Sequence, residues 1–284
     1  MDAVKDKSAD TEKLNQIAAL ANIGVYNSTM TKKYIDGAPH VKHLSLRRLY
    51  SRLATQIYDS AKLHIEQPRV LDLGAGEGST TLVFLGLGAK VVATDISRDQ
   101  LDALQNKCGA FRDNLNVICG DTNDVLKSDN GSYDIIVACS FLHHIPNYLG
   151  LIEMAIDRLG PGGQFFSFQD PLRYDSLSLF ARAFSKLAYF SWRALKGDVV
   201  GGIKRYIRRS RGIYLDDCPE DNAEYHVARN GVDQDAIVSL LSGRSMDYEI
   251  KRYFSTQNGL FQWLGSLLGV KNTFSIVGKK RLGN

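Results

Sequence analysis

Residues 70–80, VLDLGAGEGST, place three glycines at alternating positions directly after a short apolar run. An apolar run, a glycine-rich turn and a helical segment, in that order, are typical of the first strand of a parallel sheet that binds a nucleotide. Gly74, Gly76 and Gly78 form G-x-G-x-G, and Ser79 stands where a dinucleotide fingerprint needs its third glycine or alanine. No Gly-Lys-Ser/Thr follows, so the stretch does not match a phosphate-binding loop.

The carboxylate of Asp72 lies two residues before the first glycine, at the tip of the predicted strand. Beside a pyrophosphate this charge would be repulsive, whereas beside an ammonium group it would be favourable, directly or through a water. Asp95 ends the next apolar run, where its two oxygens can accept hydrogen bonds from both hydroxyls of a ribose. The two carboxylates therefore predict a ligand with a positive charge near Asp72 and a ribose farther out.

Five strand-like runs alternate with helical segments between residues 68 and 170. They read RVLDL, KVVATD, LNVICGD, YDIIVACS and GQFFSFQD, and Gly162-Gly163 predicts a tight entry into the fifth. The runs lack polar alternation, as expected for strands that helices cover on both faces. We therefore expect an α/β fold with a doubly wound parallel sheet. After residue 230 the pattern predicts two more helices and two more strands, one of which can run antiparallel at the sheet edge.

These segments, taken in order, resemble the class I S-adenosylmethionine-dependent methyltransferases of the small-molecule type. VLDLGAGEGS resembles the first motif of that family, VVATDIS the second-strand acidic motif and CGDTNDV the third-strand motif. YDIIVACSFLHHIPN resembles the fourth-strand motif and LGPGGQFFSFQD the fifth, so that the resemblance spans residues 68–170. It implies a Rossmann-like, seven-stranded sheet of order 3-2-1-4-5-7-6, with strand 7 antiparallel, and S-adenosyl-L-methionine as the cofactor.

The same resemblance implies roles for residues at the strand tips. Asp72 and the three glycines, Gly74, Gly76 and Gly78, would contact the methionine portion of the cofactor. Asp95 would hold the ribose, Asp121 the adenine amino group, and Ser140 would supply a backbone contact. The N-terminal helices would fold over the cofactor as a lid, which would bring Tyr34 to the sulfonium end.

Three side chains near the predicted acceptor are candidates for a catalytic base. His143 and His144 follow the fourth strand, and imidazole titrates near neutral pH. Asp170 ends the fifth strand; its alternative interpretation is a turn residue before Pro171. The histidine pair can equally serve to pack its loop. His40 and His43 lack the i, i+4 spacing of helical metal ligands and have no evident third ligand, so no metal site is predicted.

We divide the chain into four parts: residues 1–65 as an N-terminal helical lid, 66–171 as the cofactor-binding core, 172–230 as a helical substrate-cap insert, and 231–284 as the C-terminal part of the sheet. Within the insert, residues 172–213 carry ten basic side chains and two acidic ones. Three interpretations of this stretch stay open. It can be a cap helix over the active site, a surface for a membrane, a lipid or an acidic substrate, or an RNA-binding element.

The expected activity is methyl transfer to an oxygen or nitrogen of a small molecule, with a hydrophobic, lipid-linked or acidic acceptor as a hypothesis. Alternatives are an RNA methyltransferase and a protein that binds S-adenosylmethionine without transferring its methyl group. The net charge of +4 over 284 residues does not by itself indicate a nucleic-acid partner. The charged N-terminus lacks the apolar core of a secretory signal and the four cysteines form no CxxC pair, which favours a cytoplasmic location, extended to the membrane surface if residues 172–213 bind lipid.

Overall fold

The computed structural model describes residues 38–128, 131–197, 204, 207–208 and 230–282. Its centre is a seven-stranded sheet of order β3-β2-β1-β4-β5-β7-β6. The strands are β1 Arg69–Leu73, β2 Lys90–Asp95, β3 Leu115–Cys119, β4 Tyr133–Cys139, β5 Leu159–Pro171, β6 Asp247–Tyr253 and β7 Thr273–Lys279. Strands β1 to β5 pair in parallel, and β7 runs antiparallel to both β5 and β6. The predicted strand order and the antiparallel seventh strand are confirmed.

Helices cover both faces of the sheet. They are α1 Pro39–Lys42, α2 Leu44–Lys62, α3 Thr81–Leu87, α4 Arg98–Lys107, α5 Thr122–Ser128, α6 Tyr148–Asp157, α7 Leu179–Leu195, α8 Gln234–Gly243 and α9 Gly259–Leu267. Short 3-10 turns lie at Gly109–Asn114, Leu142–His144 and Tyr174–Ser176. Among the described residues no helix is long and apolar enough to cross a bilayer.

The apolar runs of the central strands are buried because one set of side chains points to each face. On one face α2, α3 and α4 pack against the sheet, with Tyr50 of α2 stacked on Phe166 of β5 at a ring distance of 5.7 Å. On the other face α5, α6 and α8 bury leucines and isoleucines against β1 and β4. Burying one such side chain stabilises the folded protein by about 1.5–3 kcal/mol. The two apolar layers therefore fix the positions of the strands and of the residues at the strand ends.

Strand β5 differs from the sequence-based expectation at both ends. It begins at Leu159, so Gly162-Gly163 lies inside the strand, and Gly162 adopts a φ of +73°. Near the other end Gln169 has a φ of +71°, and the pairing with β7 shifts register between Phe168 and Asp170. A bulge of this kind bends the strand and re-aims the next side chain. Asp170 is thereby turned into the protein, where it is fully buried.

Candidate functional site

The carboxyl ends of the five parallel strands meet at one edge of the sheet, where open α/β folds bind their ligands. Four predicted residues end strands or follow them here: Asp95 and Asp170 lie within β2 and β5, Asp121 follows β3, and Ser140 follows β4. Asp72 lies in β1, just before the glycine turn. The predicted residues that the structure describes thus converge on one edge. Tyr34 lies outside the described residues.

The three glycines of the turn all adopt positive φ angles: +67° at Gly74, +54° at Gly76 and +84° at Gly78. Their surroundings differ. A Cβ at Gly74 would lie 2.2 Å from the ring of Phe141, and one at Gly78 would lie 2.7 Å from Leu104 of α4. Two of the glycines are therefore needed for internal packing. Only Gly76 faces open space, with nothing within 4 Å of an added Cβ, and so leaves its backbone accessible to a ligand.

The different surroundings of Gly74 and Gly76 predict different losses of stability when each glycine is replaced by alanine. Gly74→Ala combines backbone strain with overpacking against Phe141 and should lower the free energy of unfolding by about 2–4 kcal/mol. Gly76→Ala should cost only the strain of its φ, about 1–2 kcal/mol. Denaturant unfolding of the two variants measures both values. Equal losses in the pair would contradict the packing role given to Gly74.

Asp72 is a buried carboxylate with one oxygen unsatisfied. Its Oδ2 accepts a hydrogen bond from the hydroxyl of Thr81 at 2.6 Å, while its Oδ1 has no hydrogen-bond partner among the described residues. Burial, assisted by the charge of Asp95 and opposed by the hydroxyl of Thr81 and, more weakly, that of Thr80, raises the pKa of Asp72 to about 7. A buried carboxylate with one unpartnered oxygen fits a cationic ligand group, which would donate a hydrogen bond to that oxygen and favour the ionised form of Asp72.

Asp95 links the end of β2 to the glycine turn. Its Oδ2 accepts from the backbone N–H of Gly76 at 2.9 Å, and its Oδ1 accepts from the backbone N–H of Ser97 at 2.8 Å. Burial raises the pKa of Asp95, and these backbone donors act against that shift. Each carboxylate oxygen can accept a second hydrogen bond, so a vicinal diol can still be held beside Gly76.

Asp121 and Ser140 complete the edge. Asp121 Oδ1 accepts from both the backbone and the side-chain N–H of Asn123, at 2.8 and 3.0 Å, at the start of α5. Ser140 has a φ of +52°, a left-handed conformation that is uncommon for serine, and its N–H donates to the carbonyl of Phe168 at 2.7 Å. Backbone strain of this kind is found at ligand-binding sites more often than elsewhere. The roles of both residues toward a ligand stay predictions.

Side chains that follow β4 and lie in β5 form a hydrogen-bonded cluster. Asp170 Oδ1 accepts from Nδ1 of His143 at 2.8 Å and from the His143 backbone N–H at 3.2 Å. The hydroxyl of Ser167 donates to Asp170 Oδ2 at 2.7 Å. Since an ionised carboxylate holds the proton on Nδ1, the neutral imidazole presents Nε2 as its basic nitrogen. The structure thus joins two of the three predicted catalytic candidates, His143 and Asp170, in one hydrogen-bonded pair.

The bulge at Gln169 explains how β5 delivers Asp170 to this pair. The Gln169 N–H donates to the hydroxyl oxygen of Tyr253 at 3.0 Å, and its side-chain amide donates to Ser255 Oγ at 2.5 Å. Tyr253 also stacks on Phe168, with ring centroids 5.3 Å apart. The end of β6 therefore holds the left-handed residue in place. Sequence patterns did not single out Gln169, Tyr253 or Ser255.

The third candidate, His144, is buried and has a different environment. Its ring lies against that of His143, with centroids 4.1 Å apart and planes tilted by 43°. The Asp170 carboxylate pairs with the ring of His143. This geometry favours a packing role for His144, the structural interpretation given to the pair from sequence.

Helix α1 brings a further histidine to the same place. Burial, with a smaller effect from His143, lowers the pKa of His40 to about 4, and the buried Nδ1 of His40 has no hydrogen-bond partner among the described residues. The helix is held by two contacts beyond β6. His43 Nε2 lies 2.8 Å from the carbonyl of Thr256, and Lys42 Nζ donates to the carbonyl of Gln257 at 3.0 Å. His40 is thus a neutral polar group close to His143, an association that its position in the sequence did not suggest.

Comparison with known protein families gives one match over most of the chain. The family model described as "Methyltransferase domain" matches residues 40–210, a range that includes the glycine turn, Asp95, Asp121 and the His143–Asp170 pair. The demethylmenaquinone methyltransferase of Tropheryma whipplei (strain Twist) is 30% identical over 166 residues, which are 51% of this chain and 68% of that protein. The ubiquinone biosynthesis O-methyltransferase of Burkholderia vietnamiensis is 28% identical over 105 residues, 36% of this chain and 44% of that protein.

Solved structures share the fold at low sequence identity. The plantazolicin methyltransferase BpumL in complex with SAH superposes with a TM-score of 0.54 at 17% identity, covering 96% of this chain and 99% of that one. The magnesium protoporphyrin IX methyltransferase ChlM from Synechocystis PCC 6803 with bound SAM gives a TM-score of 0.55 at 11% identity, covering 93% of this chain and 97% of that one. At these identities the likeness establishes the fold alone.

Proposed function

The chain belongs to the methyltransferase domain family, and on that premise we propose that it transfers the methyl group of S-adenosyl-L-methionine to a hydroxyl oxygen of a small acceptor. The observation that carries the choice of oxygen is the hydrogen bond of 2.8 Å between His143 and Asp170. A hydroxyl acceptor needs a base within hydrogen-bond reach, whereas an amine needs only to be neutral. An oriented imidazole at the strand edge therefore supports oxygen over nitrogen.

The donor site is proposed from the fit of the strand-tip residues. The unpartnered Oδ1 of Asp72 suits the ammonium group of the methionine portion, and the open space beside Gly76 leaves room for it. The Asp95 carboxylate suits the ribose diol, Asp121 the adenine amino group, and Ser140 a backbone contact. Gly74 and Gly78 act through packing and give the turn its shape.

The pKa of Asp72 makes donor binding depend on pH. In the ligand-free protein Asp72 is protonated below about pH 7, so binding an ammonium group at lower pH requires loss of that proton. We expect the Kd for S-adenosylmethionine to be about five- to tenfold higher at pH 6 than at pH 7.5. Isothermal titration calorimetry at the two values measures the change. In Asp72→Asn the dependence should disappear along with most of the affinity; a wild-type Kd that does not change with pH would contradict the assignment.

The residues of the chain then divide the chemistry between them. When bound, S-adenosylmethionine would supply a methyl group on a sulfonium sulfur, and attack by a well-aligned oxygen would break the carbon–sulfur bond and release the sulfur as a neutral thioether. Nε2 of His143 accepts the proton of the acceptor hydroxyl as the new carbon–oxygen bond forms. Asp170 keeps the imidazole in the required tautomer and stabilises its cationic form, and Ser167 holds Asp170. Neutral His40, close to His143, can donate a hydrogen bond to the acceptor oxygen or accept one from it.

The acceptor class is proposed as a hydrophobic molecule with an acidic hydroxyl, such as a phenol or a hydroquinone. Two relatives are named for quinone substrates or quinone biosynthesis, and Phe168 and Tyr253 stack on each other at the end of the strand that carries Asp170. The test is a panel of phenolic, carboxylic and amine acceptors incubated with the full chain and the donor, with products analysed by mass spectrometry. Methylation of the phenols alone is expected. Methylation confined to amines would overturn the choice of oxygen.

A further inference from the structure

Two helices at the carboxyl edge of the sheet present large apolar side chains to solvent. Eight such residues are each more than half exposed: Leu179, Phe180, Leu187 and Leu195 of α7, Leu260, Trp263 and Leu267 of α9, and Leu268 just after it. Soluble monomers rarely expose a contiguous apolar patch of this kind unless it binds something. These side chains lie on the solvent-facing sides of their helices, so packing into the core does not account for their apolar character.

The two exposed stripes form one surface. Phe180 contacts Phe184 on α7, with ring centroids 5.8 Å apart, and Phe184 contacts Phe261 of α9 at 5.4 Å. Phe184 and Phe261 pack against a small cluster that includes Phe254 and Val270. The two helices are therefore in direct contact through Phe184 and Phe261, beneath their exposed apolar residues. We call the eight exposed residues the α7/α9 surface.

The charged side chains of α7 itself are all basic, although Arg182 lies 4.0 Å from Asp175, which precedes the helix. Arg182, Lys186 and Arg193 follow one stripe of α7, Lys196 comes directly after the helix, and residues 179–197 contain no acidic side chain. Arg193 lies over the rings of Tyr189 and Trp192, 5.2 Å from each centroid. Helix α9 carries no charged residue at all. An apolar face bordered by basic residues and containing tryptophan is the pattern of helices that lie in a membrane interface.

We propose that the α7/α9 surface docks on an anionic lipid bilayer, with both helices lying in the plane of the interface. Charge complementarity selects this occupant: the basic stripe attracts anionic headgroups while leucine, phenylalanine and Trp263 enter the headgroup boundary. A second copy of the chain docked through the same surface would bring two basic stripes together, and no acidic residue of α7 or α9 would offset them.

The position of the α7/α9 surface near the proposed active site indicates a role for membrane docking in acceptor binding. Helix α9 begins at Gly259, just after Thr256 and Gln257, the residues that hold α1 beside His143. The N-terminal end of α9 is therefore next to α1, the helix that carries His40. A lipid-soluble acceptor could pass from the bilayer to the site without crossing bulk water. This consequence rests on the proposed function, whereas the docking itself does not.

Vesicle co-sedimentation of the full chain tests the proposal. Vesicles of phosphatidylcholine with phosphatidylserine should bind the protein at least tenfold more tightly than phosphatidylcholine alone. Trp263→Ser/Leu267→Ser, which removes exposed apolar area only, should weaken binding to anionic vesicles at least tenfold. Lys186→Glu/Lys196→Glu should do the same, because each basic residue near such a surface contributes about fivefold, the equivalent of about 1 kcal/mol.

Matched controls lie at the opposite edge of the sheet, near the C-terminal ends of α2 and α5. Leu63→Ser removes an apolar side chain that is 79% exposed, and Lys62→Glu/Lys127→Glu makes the same charge change as the basic variant. Both should bind vesicles like the wild type, and all variants should unfold at the wild-type temperature. Failure to bind anionic vesicles, or equal binding by the surface variants, would overturn the proposal. So would a dimer in analytical ultracentrifugation that Trp263→Ser/Leu267→Ser disperses. Methyl transfer to a water-soluble phenol reports on the proposed function separately.

Discussion

Replacing His143 by alanine should lower kcat for a phenolic acceptor by about 10²–10⁴-fold, with little change in the Kd for S-adenosylmethionine. The imidazole is the group that Asp170 orients at 2.8 Å, and general-base catalysis typically contributes a factor of this size. Asp170→Asn should cause a loss in the same direction, because the charge that stabilises the protonated ring is removed. Initial rates at saturating donor concentration measure both effects.

A base can be distinguished from a structural residue by the choice of acceptor. A strongly acidic phenol is already ionised at neutral pH and needs no proton acceptor, so His143→Ala should impair its methylation far less than that of an ordinary phenol. His64→Ala serves as the control, because His64 is exposed near the end of α2 at the opposite edge of the sheet. Equal losses with both acceptors would show that His143 acts on folding or binding and not as the base.

Replacing Asp95 by alanine should raise the Kd for S-adenosylmethionine by about 100-fold. Two hydroxyl hydrogen bonds to a carboxylate, each contributing about 1.5 kcal/mol, account for a factor of this size. The variant also removes the acceptor of the Gly76 N–H, which loosens the turn that lies beside the donor. Calorimetric titration of the donor into the folded variant measures the loss.

The matched control for Asp95 is Asp99→Ala, which deletes an exposed carboxylate in the first turn of α4 and makes the same change of charge. The Kd of Asp99→Ala for S-adenosylmethionine should stay within about twofold of the wild-type value, since solvent screens the exposed Asp99 carboxylate from the donor. An unchanged Kd in Asp95→Ala, with the fold confirmed by circular dichroism, would contradict the ribose assignment.

The sheet and its ligand edge could be predicted from the sequence because their signals are local. Apolar runs such as RVLDL and YDIIVAC are buried on both faces, and a residue of different chemistry follows each of them, Gly74 after the first and Ser140 after the second. The strand order was predicted from the resemblance to a family, since the periodicity of apolar residues and the spacing of the segments do not specify which strands pair. Residues at the strand tips were therefore located correctly, although their roles toward a ligand stay predictions.

The rest depends on contacts between residues distant in the chain. The bulge at Gln169 is fixed by Tyr253 and Ser255, which lie more than 80 positions later, and only this bulge turns Asp170 toward His143. The unpartnered Nδ1 of His40 becomes relevant only once α1 docks beyond β6. Likewise, the need for glycine at position 74 comes from its positive φ together with the close approach of the Phe141 ring. Sequence periodicity carries no information on such pairs.

The measurement that tests the account most directly is transfer of an isotopically labelled methyl group from S-adenosylmethionine to a phenolic acceptor, followed by mass spectrometry over a time course. The full chain should place one label on the acceptor oxygen, His143→Ala should do so at least about 100-fold more slowly, and His64→Ala at the wild-type rate. A chain that binds the donor with the expected dependence on Asp95 and yet labels no hydroxyl acceptor, or labels it equally fast without His143, would contradict the account.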